Sequence, residues 1–286
     1  MNHETARPPT TRIGKRDFHW GEKTFVMGVV NATPDSFSSD GVGADVDRAL
    51  RQAMAFEEQG ADIIDVGGES TRPPALYAGS ELVTEREELS RVIPVIEALA
   101  PALSIPISID TYKARVADRA LAAGAAMVND THGFRGDADM ARVVVEAGVP
   151  LVLMHNQDHT RYTDLVPDVI AGLKRLADDA VAAGVDEGKI ILDPGIGFGK
   201  TARHNLEIMR RLDEFSVLGR PLLVGMSRKS TIGYVLDLPV DDRIEGTAAT
   251  VALSIAGGAD IVRVHDVKEM VRVARMSDAI VRGWPG

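Results

Sequence analysis

Residues 106–130, PISIDTYKARVADRALAAGAAMVND, contain the unit that decides the fold of this chain. A short apolar run, PISIDT (106–111), is followed by ARVADRALAAGA, an amphipathic stretch with a glycine at its end, and then by a second apolar run, AAMVND (125–130). The cores of these runs are continuously apolar, which is typical of parallel strands covered on both faces. The stretch therefore predicts a strand, a helix and a second strand parallel to the first.

The same unit recurs along the chain, with helix-like segments such as VDRALRQAMAFEEQG, ELSRVIPVIEALA and DMARVVVEAGV between apolar runs. Eight units in 286 residues predict an α/β fold, a single-domain TIM (β/α)8 barrel over residues 1–286. A doubly wound sheet is the alternative, but it would usually have fewer strands and a phosphate fingerprint in its first turn. The eight predicted strands are FVMGVVN (25–31), ADIIDVGGE (61–69), PISIDT (106–111), AAMVND (125–130), PLVLMHN (150–156), KIILDPG (189–195), PLLVGMSR (221–228) and ADIVRVHD (259–266).

Composition limits the classes of function. The net charge of -10 is spread along the sequence, which argues against nucleic acid or anionic membranes as partners. The chain has no cysteine, so disulfides and thiolate zinc sites are excluded. No apolar run reaches the roughly 18 residues of a membrane span. The start, MNHETARPPTTRIGKRDFHW, lacks the apolar segment of a signal peptide, so residues 1–22 are interpreted as a polar lead-in and the expected location is cytoplasmic.

Polar residues stand at the end of every predicted strand. In a TIM barrel these carboxyl ends meet at one rim, where the active site lies. A single polar residue there is most often a helix cap or a loop anchor, but eight sets at one rim indicate a shared crevice. The sets are Asn31, Glu69 to Arg72, Asp110, Asn129 with Asp130, His155 with Asn156, Asp193, Ser227 to Lys229, and Arg263 to Asp266.

The chemistry of these residues suggests two subsites. Asp110, Asn129 and Asp193 offer hydrogen-bond acceptors and one amide, a set suited to a flat heterocycle with several N–H donors. Cationic or donor groups follow the last two strands, where TIM barrels frequently bind phosphate: Arg228, Lys229, Arg263 and His265. The rim is therefore predicted to hold a heterocycle pocket beside an anion pocket.

One stretch, KIILDPGIGFGKT (189–201), ends in Gly-Lys-Thr as a nucleotide-binding P-loop does. The P-loop pattern requires a glycine five positions before Gly199, but Pro194 stands there and has no N–H to offer a phosphate. The interpretation is that Asp193 is the working residue and that Gly-Lys-Thr is a chance similarity. His155 and His159 have the spacing of a zinc-binding helix but lack its glutamate, so no metal site is predicted for them.

Eight motifs in order along the chain resemble those of the dihydropteroate synthase family, from about Phe25 to Val267. The resemblance implies a TIM barrel, a place in folate biosynthesis and a dimer, since the family is commonly dimeric. It implies transfer of a dihydropterin-methyl group from its diphosphate ester to 4-aminobenzoate, with release of pyrophosphate and with Mg²⁺ as cofactor. The motifs are GVVNATPDSFS, IDVGGESTRP, SIDT, VNDT, LMHNQ, ILDPGIGFGK, LLVGMSRKS and IVRVHDV.

The resemblance also assigns roles to individual positions. The pterin contacts it implies are Asp110, Asn129, Asp193 and Lys229, with Met154, Gly225 and Phe198 shaping the pocket. The aminobenzoate contacts are Thr71, Pro73, Phe198, Lys229 and Ser230. The diphosphate contacts are Asn31, Arg72, Arg263 and His265, with Asn31 also the magnesium ligand. The residues expected to act in catalysis are Arg263, His265, Lys229 and Arg72.

Two loops depart from the family pattern. PALYAGSELVTEREEL (74–89) is longer than the loop usually found after that strand, and HGFRGD (132–137) is also atypical. Their position on the aminobenzoate side leads to the hypothesis that affinity for sulfonamides is reduced. Two alternative functions remain at this point: a catalytically idle pterin-binding paralogue, and a methyltetrahydrofolate-corrinoid methyltransferase, which would share the acceptor pocket but have little use for the anion pocket.

Overall fold

A computed structural model of the chain describes residues 10–32, 42–69 and 83–284. The strands within them are β1 (Thr11–Ile13), β2 (Arg16–Phe18), β3 (Phe25–Asn31), β4 (Ile63–Gly67), β5 (Ile107–Asp110), β6 (Met127–Asp130), β7 (Leu151–Met154), β8 (Ile190–Asp193), β9 (Leu223–Val224) and β10 (Ile261–Val264). Eight of them are parallel and form one sheet in the order β8-β7-β6-β5-β4-β3-β10-β9. A parallel bridge between Leu192 and Leu222 joins the two edges of this sheet and closes the barrel.

Helices follow the barrel strands and cover their outer face. This alternation confirms the predicted TIM barrel. The helices are α1 (Val42–Glu58), α2 (Glu85–Leu99), α3 (Ala114–Ala123), α4 (Met140–Ala147), α5 (Leu165–Ala182), α6 (Ala202–Arg210), α7 (Ser230–Leu236), α8 (Ile244–Ala256) and α9 (Val267–Val281), with short 3-10 helices at Glu187–Lys189 and Leu212–Leu218. Within the described ranges, no helix combines the length and the apolar character needed to cross a membrane.

The barrel strands are buried on both faces, as their continuous apolar runs predict. One apolar cluster lies between the strands and the helices, and includes Val66, Ile109 and Leu153. A second cluster fills the inside of the barrel, with side chains such as Met27, Ile63, Met127 and Ile191. Every residue of β4 is buried, including the acidic Asp65. The core therefore encloses charged groups inside the barrel, and these belong to the site described below.

An antiparallel hairpin of β1 and β2 belongs to the second apolar cluster. Its side chains Ile13 and Phe18, and Trp20 just after it, are at most 2% exposed and pack with the inner-barrel residues. The sequence suggests only a polar lead-in here, because each strand of the hairpin is three residues long and shows no readable period. Burial of these side chains makes the segment part of the core.

A buried hydroxyl fastens the hairpin to the barrel. Thr11 Oγ1 accepts from Trp20 Nε1 at 2.9 Å and donates to the Gly188 carbonyl at 2.6 Å, just before β8. We expect Thr11→Val to lower the free energy of unfolding by about 2 kcal/mol, because the buried Trp20 indole N–H would lose its acceptor and the half-buried Gly188 carbonyl would lose its donor. Denaturant unfolding measures this effect. Thr11→Ser keeps the hydroxyl and serves as the control, and an unchanged stability of Thr11→Val would contradict the expectation.

Candidate active site

The polar strand ends gather at one rim of the barrel. Asn31, Asp110, Asp130 and Asp193 are the last residues of β3, β5, β6 and β8. Since the strands are parallel, their carboxyl ends face the same side. The Asp110 side chain on β5 accepts a hydrogen bond from Arg263 on β10, although β4 and β3 lie between these two strands in the sheet. The strand ends thus share one rim, and Asp110 and Arg263 are in contact there. The Asp130 carboxylate accepts from the backbone amides of His132, Gly133 and Phe134, so it anchors the loop after β6.

A salt-bridge network forms the floor of this crevice. Arg263 on β10 donates from Nε to Asp65 Oδ2 at 2.6 Å and from Nη2 to Asp110 Oδ2 at 2.7 Å. Asn129 Nδ2 donates to the same Asp65 oxygen at 3.1 Å. One guanidinium thus spans β10, β4 and β5. A planar fork of N–H donors suits such a double contact, which a lysine could not make in the same geometry.

Burial sets the electrostatics of the floor. Asp65 and Asp110 are 0% and 6% exposed. Burial raises the pKa of Asp110, and the positive charge of Arg263 offsets part of that rise. For Arg263, burial opposes the charged form, but Asp65 and Asp110 outweigh it and raise the pKa of the guanidinium. The Oδ1 atoms of both carboxylates are buried and have no hydrogen-bond partner among the described residues, so Asp110 retains an acceptor at the rim.

Asp193 and the loop after β8 form one wall. The Asp193 carboxylate is 8% exposed and accepts from the Gly195 amide at 2.7 Å. Burial raises its pKa, while the nearby charge of Lys229 acts in the opposite direction. The Lys229 ammonium donates to the Ile196 carbonyl and lies 4.9 Å from the centre of the Phe198 ring. An acceptor, a cation and an aromatic face therefore stand side by side.

Three further predicted residues line the same crevice or its edge. Met154 is 2% exposed and lies opposite Asp193 in the register of β7 with β8. Gly225, just after β9, is next to the side chain of Arg263, so a larger residue there would approach the floor. Ser230 begins α7, directly after Lys229. These positions agree with a pocket walled by β7, β8 and β9.

His265 and Ser227 form a pair at the anion side. Ser227 Oγ accepts from the His265 backbone amide at 3.1 Å and lies 3.0 Å from Nδ1 of its ring. Ser227 Oγ has one hydrogen and a second lone pair, so its contact with Nδ1 fits either tautomer of the ring, and the tautomer in which Oγ donates to Nδ1 carries the imidazole hydrogen on Nε2. Burial, reinforced by Arg263, lowers the pKa of His265 to about 4. The ring is therefore a neutral hydrogen-bond donor at pH 7.

Arg228 differs from the expectation that it supplies a charge to the anion pocket. Its guanidinium pairs with Asp266, with Nε 2.9 Å from Oδ2, and its carbonyl accepts from Arg243 Nη1 at 2.9 Å. The backbone of Arg228 has φ of 55°, in the left-handed region. These contacts turn Arg228 toward α9 and α8, so it positions the turn before Lys229.

The remaining predicted residues divide into two groups. Asn31 ends β3 with an exposed side chain. Thr71, Arg72 and Pro73 lie outside the described residues, so their predicted contacts stay predictions. In the described part of the chain, no cluster of three or more His, Asp or Glu side chains could hold a metal ion.

The sequence interpretation missed Asp65. This residue lies inside the apolar run IIDVG, two residues before the end of β4 and apart from the polar residues that end the strands. Two features of the sequence could have indicated its role. Asp65 stands two positions after Ile63 and so shares the inner face of β4, and β10 carries Arg263 on its own inner face. A buried charge requires a partner, and Arg263 was the available one.

Comparisons with known proteins agree with this geometry. The family described as "Pterin binding enzyme" matches residues 27–265. The chain is 52% identical over 272 residues to dihydropteroate synthase from Clostridium beijerinckii, covering 95% of this chain and 99% of the relative. Its fold is similar to dihydropteroate synthase from Clostridium difficile, solved in the presence of pteroic acid, with a TM-score of 0.89, 50% identity and coverage of 93% and 99%. The enzyme from Xanthomonas albilineans, solved with 4-aminobenzoic acid, gives a TM-score of 0.90, 38% identity and coverage of 97% and 100%.

Proposed function

Because this chain belongs to the pterin binding enzymes, and among them to the dihydropteroate synthases, we propose that it joins 6-hydroxymethyl-7,8-dihydropterin diphosphate to 4-aminobenzoate. The products are 7,8-dihydropteroate and pyrophosphate, an intermediate and a by-product of folate biosynthesis. The observation that carries the proposal is the set of buried acceptors on β5, β6 and β8 around the Arg263 floor, beside a separate anion side. The enzyme class is a transferase, as in the relatives.

The acceptor set suits the pterin ring. A pterin presents several N–H groups along one edge, and Asp110, Asn129 and Asp193 provide oxygens on three different strands. Their burial excludes water, which strengthens each hydrogen bond. The half-buried Phe198 ring and the buried Met154 offer apolar contact to a flat ligand. Relatives solved in the presence of pteroic acid and with 4-aminobenzoic acid support the same classes of ligand here.

The anion side suits the diphosphate. In the tautomer whose Nδ1 accepts from Ser227 Oγ, His265 offers a neutral Nε2–H to the diphosphate. Arg263 lies below the rim with its charge paired to Asp65 and Asp110, and we propose that it contributes as a guanidinium fixed by these two carboxylates. Arg72 is proposed as a further cation. Asn31 has an amide oxygen at the exposed end of β3, and together with diphosphate oxygens and water it could hold Mg²⁺, which commonly takes few protein ligands. When bound, the ion would stabilise negative charge on the departing pyrophosphate.

The proposed reaction is a dissociative displacement. The C–O bond to the diphosphate breaks first and its electron pair leaves with pyrophosphate, while electron density from the pterin ring supports the cation-like methylene. The nitrogen lone pair of 4-aminobenzoate then forms the C–N bond, and the amine proton passes to solvent. An aromatic amine is weakly basic and needs little activation, so no general base is required. His265 and Arg263 act by electrostatic stabilisation of the leaving group.

Ser227→Ala tests the role given to His265. Without the hydroxyl, Nδ1 loses the partner that keeps the hydrogen on Nε2, and about 1 kcal/mol of positioning would be lost. We expect kcat/KM to fall by about five- to tenfold, with thermal unfolding little changed. Ser227→Thr retains the hydroxyl and is the control. A kcat/KM within twofold of the wild type in folded Ser227→Ala would contradict the role.

Sulfonamide affinity and quaternary structure are further parts of the proposal. Residues 74–82 of the long loop lie outside the described residues. HGFRGD is described: the ring centre of His132 lies 4.2 Å from that of Tyr112, with the planes tilted by 43°. The Tyr112 hydroxyl donates to Glu69 Oε1 at 3.4 Å, five residues before the long loop. This contact supports an effect of both loops on the aminobenzoate side, and we propose reduced sulfonamide affinity. Inhibition by sulfamethoxazole equal to that of a sensitive relative would contradict the proposed reduction in affinity.

A homodimer is proposed from the resemblance to the family. The molecular mass of the protein in solution tests this proposal.

Pyrophosphate release from the dihydropterin diphosphate, with and without 4-aminobenzoate, tests the proposed function. Release that depends on the amine supports the synthase. Pterin binding with no release supports the idle paralogue. Methyl transfer from methyltetrahydrofolate to a corrinoid, with no use of the diphosphate, supports the methyltransferase. The anion side at β10 already favours the synthase over that last alternative.

A further inference from the structure

A lysine is buried behind the loop that follows β8. Lys200 is 4% exposed, and its Nζ lies 3.0 Å from the Gly195 carbonyl oxygen, 2.9 Å from that of Phe198 and 3.2 Å from that of His155. A fourth contact of 3.1 Å joins Nζ to Nδ1 of the His155 ring. An ammonium has three hydrogens and no acceptor, so one side chain serves the backbones of two loops, those after β7 and β8.

The loop after β8 depends on partners of this kind. Gly195, Gly197 and Gly199 have φ of 70°, 83° and 59°, all in the left-handed region, so the loop forms no regular element. A Cβ on Gly195 would lie 1.9 Å from the His155 carbonyl oxygen, which shows how closely the two loops approach. Side chains therefore supply hydrogen bonds to the loop backbone. Lys200 donates to the carbonyls of Gly195 and Phe198, Lys229 donates to that of Ile196, and the Tyr162 hydroxyl donates to that of Gly199 at 2.8 Å. Asn205 Oδ1 accepts from the Gly197 amide at 3.0 Å.

The same loop carries two groups of the pterin wall. The Gly195 amide donates to Asp193 Oδ1 at 2.7 Å, and thus orients the carboxylate. Phe198, three residues later, presents its ring to the Lys229 ammonium. Lys200 holds the carbonyls of Gly195 and Phe198 themselves. A shift of the backbone at either end would therefore move the carboxylate or the ring relative to the other.

We propose that Lys200 is a positioning residue for pterin recognition. It fastens the loop after β8 to the loop after β7, so that the Asp193 carboxylate and the Phe198 ring keep the arrangement that a flat heterocycle requires. The inference rests on the proposed function, because it takes a pterin as the ligand of Asp193. It also gives the Gly-Lys-Thr sequence a role unlike that of a P-loop, since the ammonium is directed to carbonyl oxygens and away from any phosphate.

The contacts of Lys200 allow positioning to be separated from plain stabilisation. Burial lowers the pKa of Lys200 to about 7, so replacement of the ammonium removes a desolvation cost. A methionine would fill the space, but it would leave the carbonyl oxygens of His155, Gly195 and Phe198 without this donor, which costs stability. Lost stability reduces the amount of folded enzyme and leaves KM and Kd unchanged, whereas a displaced loop raises both. We therefore expect Lys200→Met to be less stable and, where it is folded, to lose pterin affinity.

The test compares wild type with Lys200→Met, which has no donor, and Lys200→Gln, which keeps two N–H donors without the charge. The control is Lys189→Met, because Lys189 also donates to a loop carbonyl, that of Gly148 at 2.8 Å, but lies before β8 and far from the rim. KM for the dihydropterin diphosphate, its Kd from calorimetry, and thermal unfolding are measured for each protein.

Assayed well below the midpoint of unfolding, Lys200→Met is expected to raise KM and Kd for the pterin diphosphate about tenfold, with a lower midpoint of unfolding than wild type. Lys200→Gln should lie between the two, and Lys189→Met should match wild type. Pterin constants within twofold of wild type in folded Lys200→Met would overturn the inference. If neither Lys200 variant folds, Tyr162→Phe, which removes one loop donor, should raise KM two- to threefold, and an unchanged KM would overturn it. Wild-type protein without amine-dependent pyrophosphate release would instead overturn the proposed function.

Discussion

Asp193→Asn is expected to reduce kcat/KM by about 100- to 1000-fold, on the order of 3–4 kcal/mol. The carboxylate is 8% exposed, accepts from the Gly195 amide, and is proposed to accept from the pterin ring. An amide of the same shape replaces one acceptor by a donor, which would face another donor in a buried site. Steady-state kinetics with saturating 4-aminobenzoate measure the effect.

A matched control exists at the other end of the same strand. Asp186 accepts from the amide two residues ahead, Gly188, at 2.9 Å, as Asp193 does from Gly195 at 2.7 Å, but it is exposed and lies before β8. Asp186→Asn should leave kcat/KM within twofold of wild type. If both variants lose activity equally, the loss comes from the turn geometry and the assignment of Asp193 to the pterin is wrong.

Arg263→Met is expected to lower the free energy of unfolding by about 3–5 kcal/mol and to abolish most activity. Removal of the guanidinium leaves Asp65 and Asp110 as two buried carboxylates without their cation, which is the costly way to break a buried ion pair. Denaturant unfolding and the pyrophosphate assay measure the two effects. Arg115→Met is the control, because the Arg115 side chain is 72% exposed in its pair with Glu85, and exposed pairs contribute at most about 1 kcal/mol.

The loss in Arg263→Met should depend on pH. Burial raises the folded-state pKa of Asp110, and Arg263 counteracts that rise, so the pKa in the variant is higher still. An acid with a raised folded pKa contributes stability below its unfolded pKa and loses it as pH rises through the folded pKa. The stability difference from wild type should therefore be larger at pH 8 than at pH 5.5. An equal difference at both values would contradict the ion-pair account of the floor.

The barrel was predictable from sequence because its signal is repeated. Each of the eight apolar runs contains an observed barrel strand; β3 matches its run, and the other strands are shorter than theirs. β9 covers only Leu223–Val224, since Pro221 before it lacks an N–H for the ladder and Gly225 after it begins the turn toward Lys229. The hairpin β1–β2 was not predictable, because three-residue strands carry no period and their burial depends on the open end of the barrel.

Site residues at strand ends were predictable from the sequence. Contacts between side chains or loops that meet only in the folded barrel were not. Asp110, Asn129 and Asp193 lie at the rim as expected. The link from Arg263 to Asp65 crosses β3, and no spacing in the sequence encodes which carboxylate an arginine reaches inside a barrel. The same is true of Lys200, whose carbonyl partners come from two loops that approach only after folding.

The central claim is that this rim condenses the two substrates with Asp193 as a pterin acceptor. Its most direct test is mass-spectrometric detection of 7,8-dihydropteroate from purified wild type, Asp186→Asn and Asp193→Asn, each supplied with dihydropterin diphosphate, 4-aminobenzoate and Mg²⁺. The account predicts product equal in amount to pyrophosphate with wild type and Asp186→Asn, and less than about a hundredth of that initial rate with Asp193→Asn. No dihydropteroate from wild type, or an undiminished rate from Asp193→Asn, would contradict it.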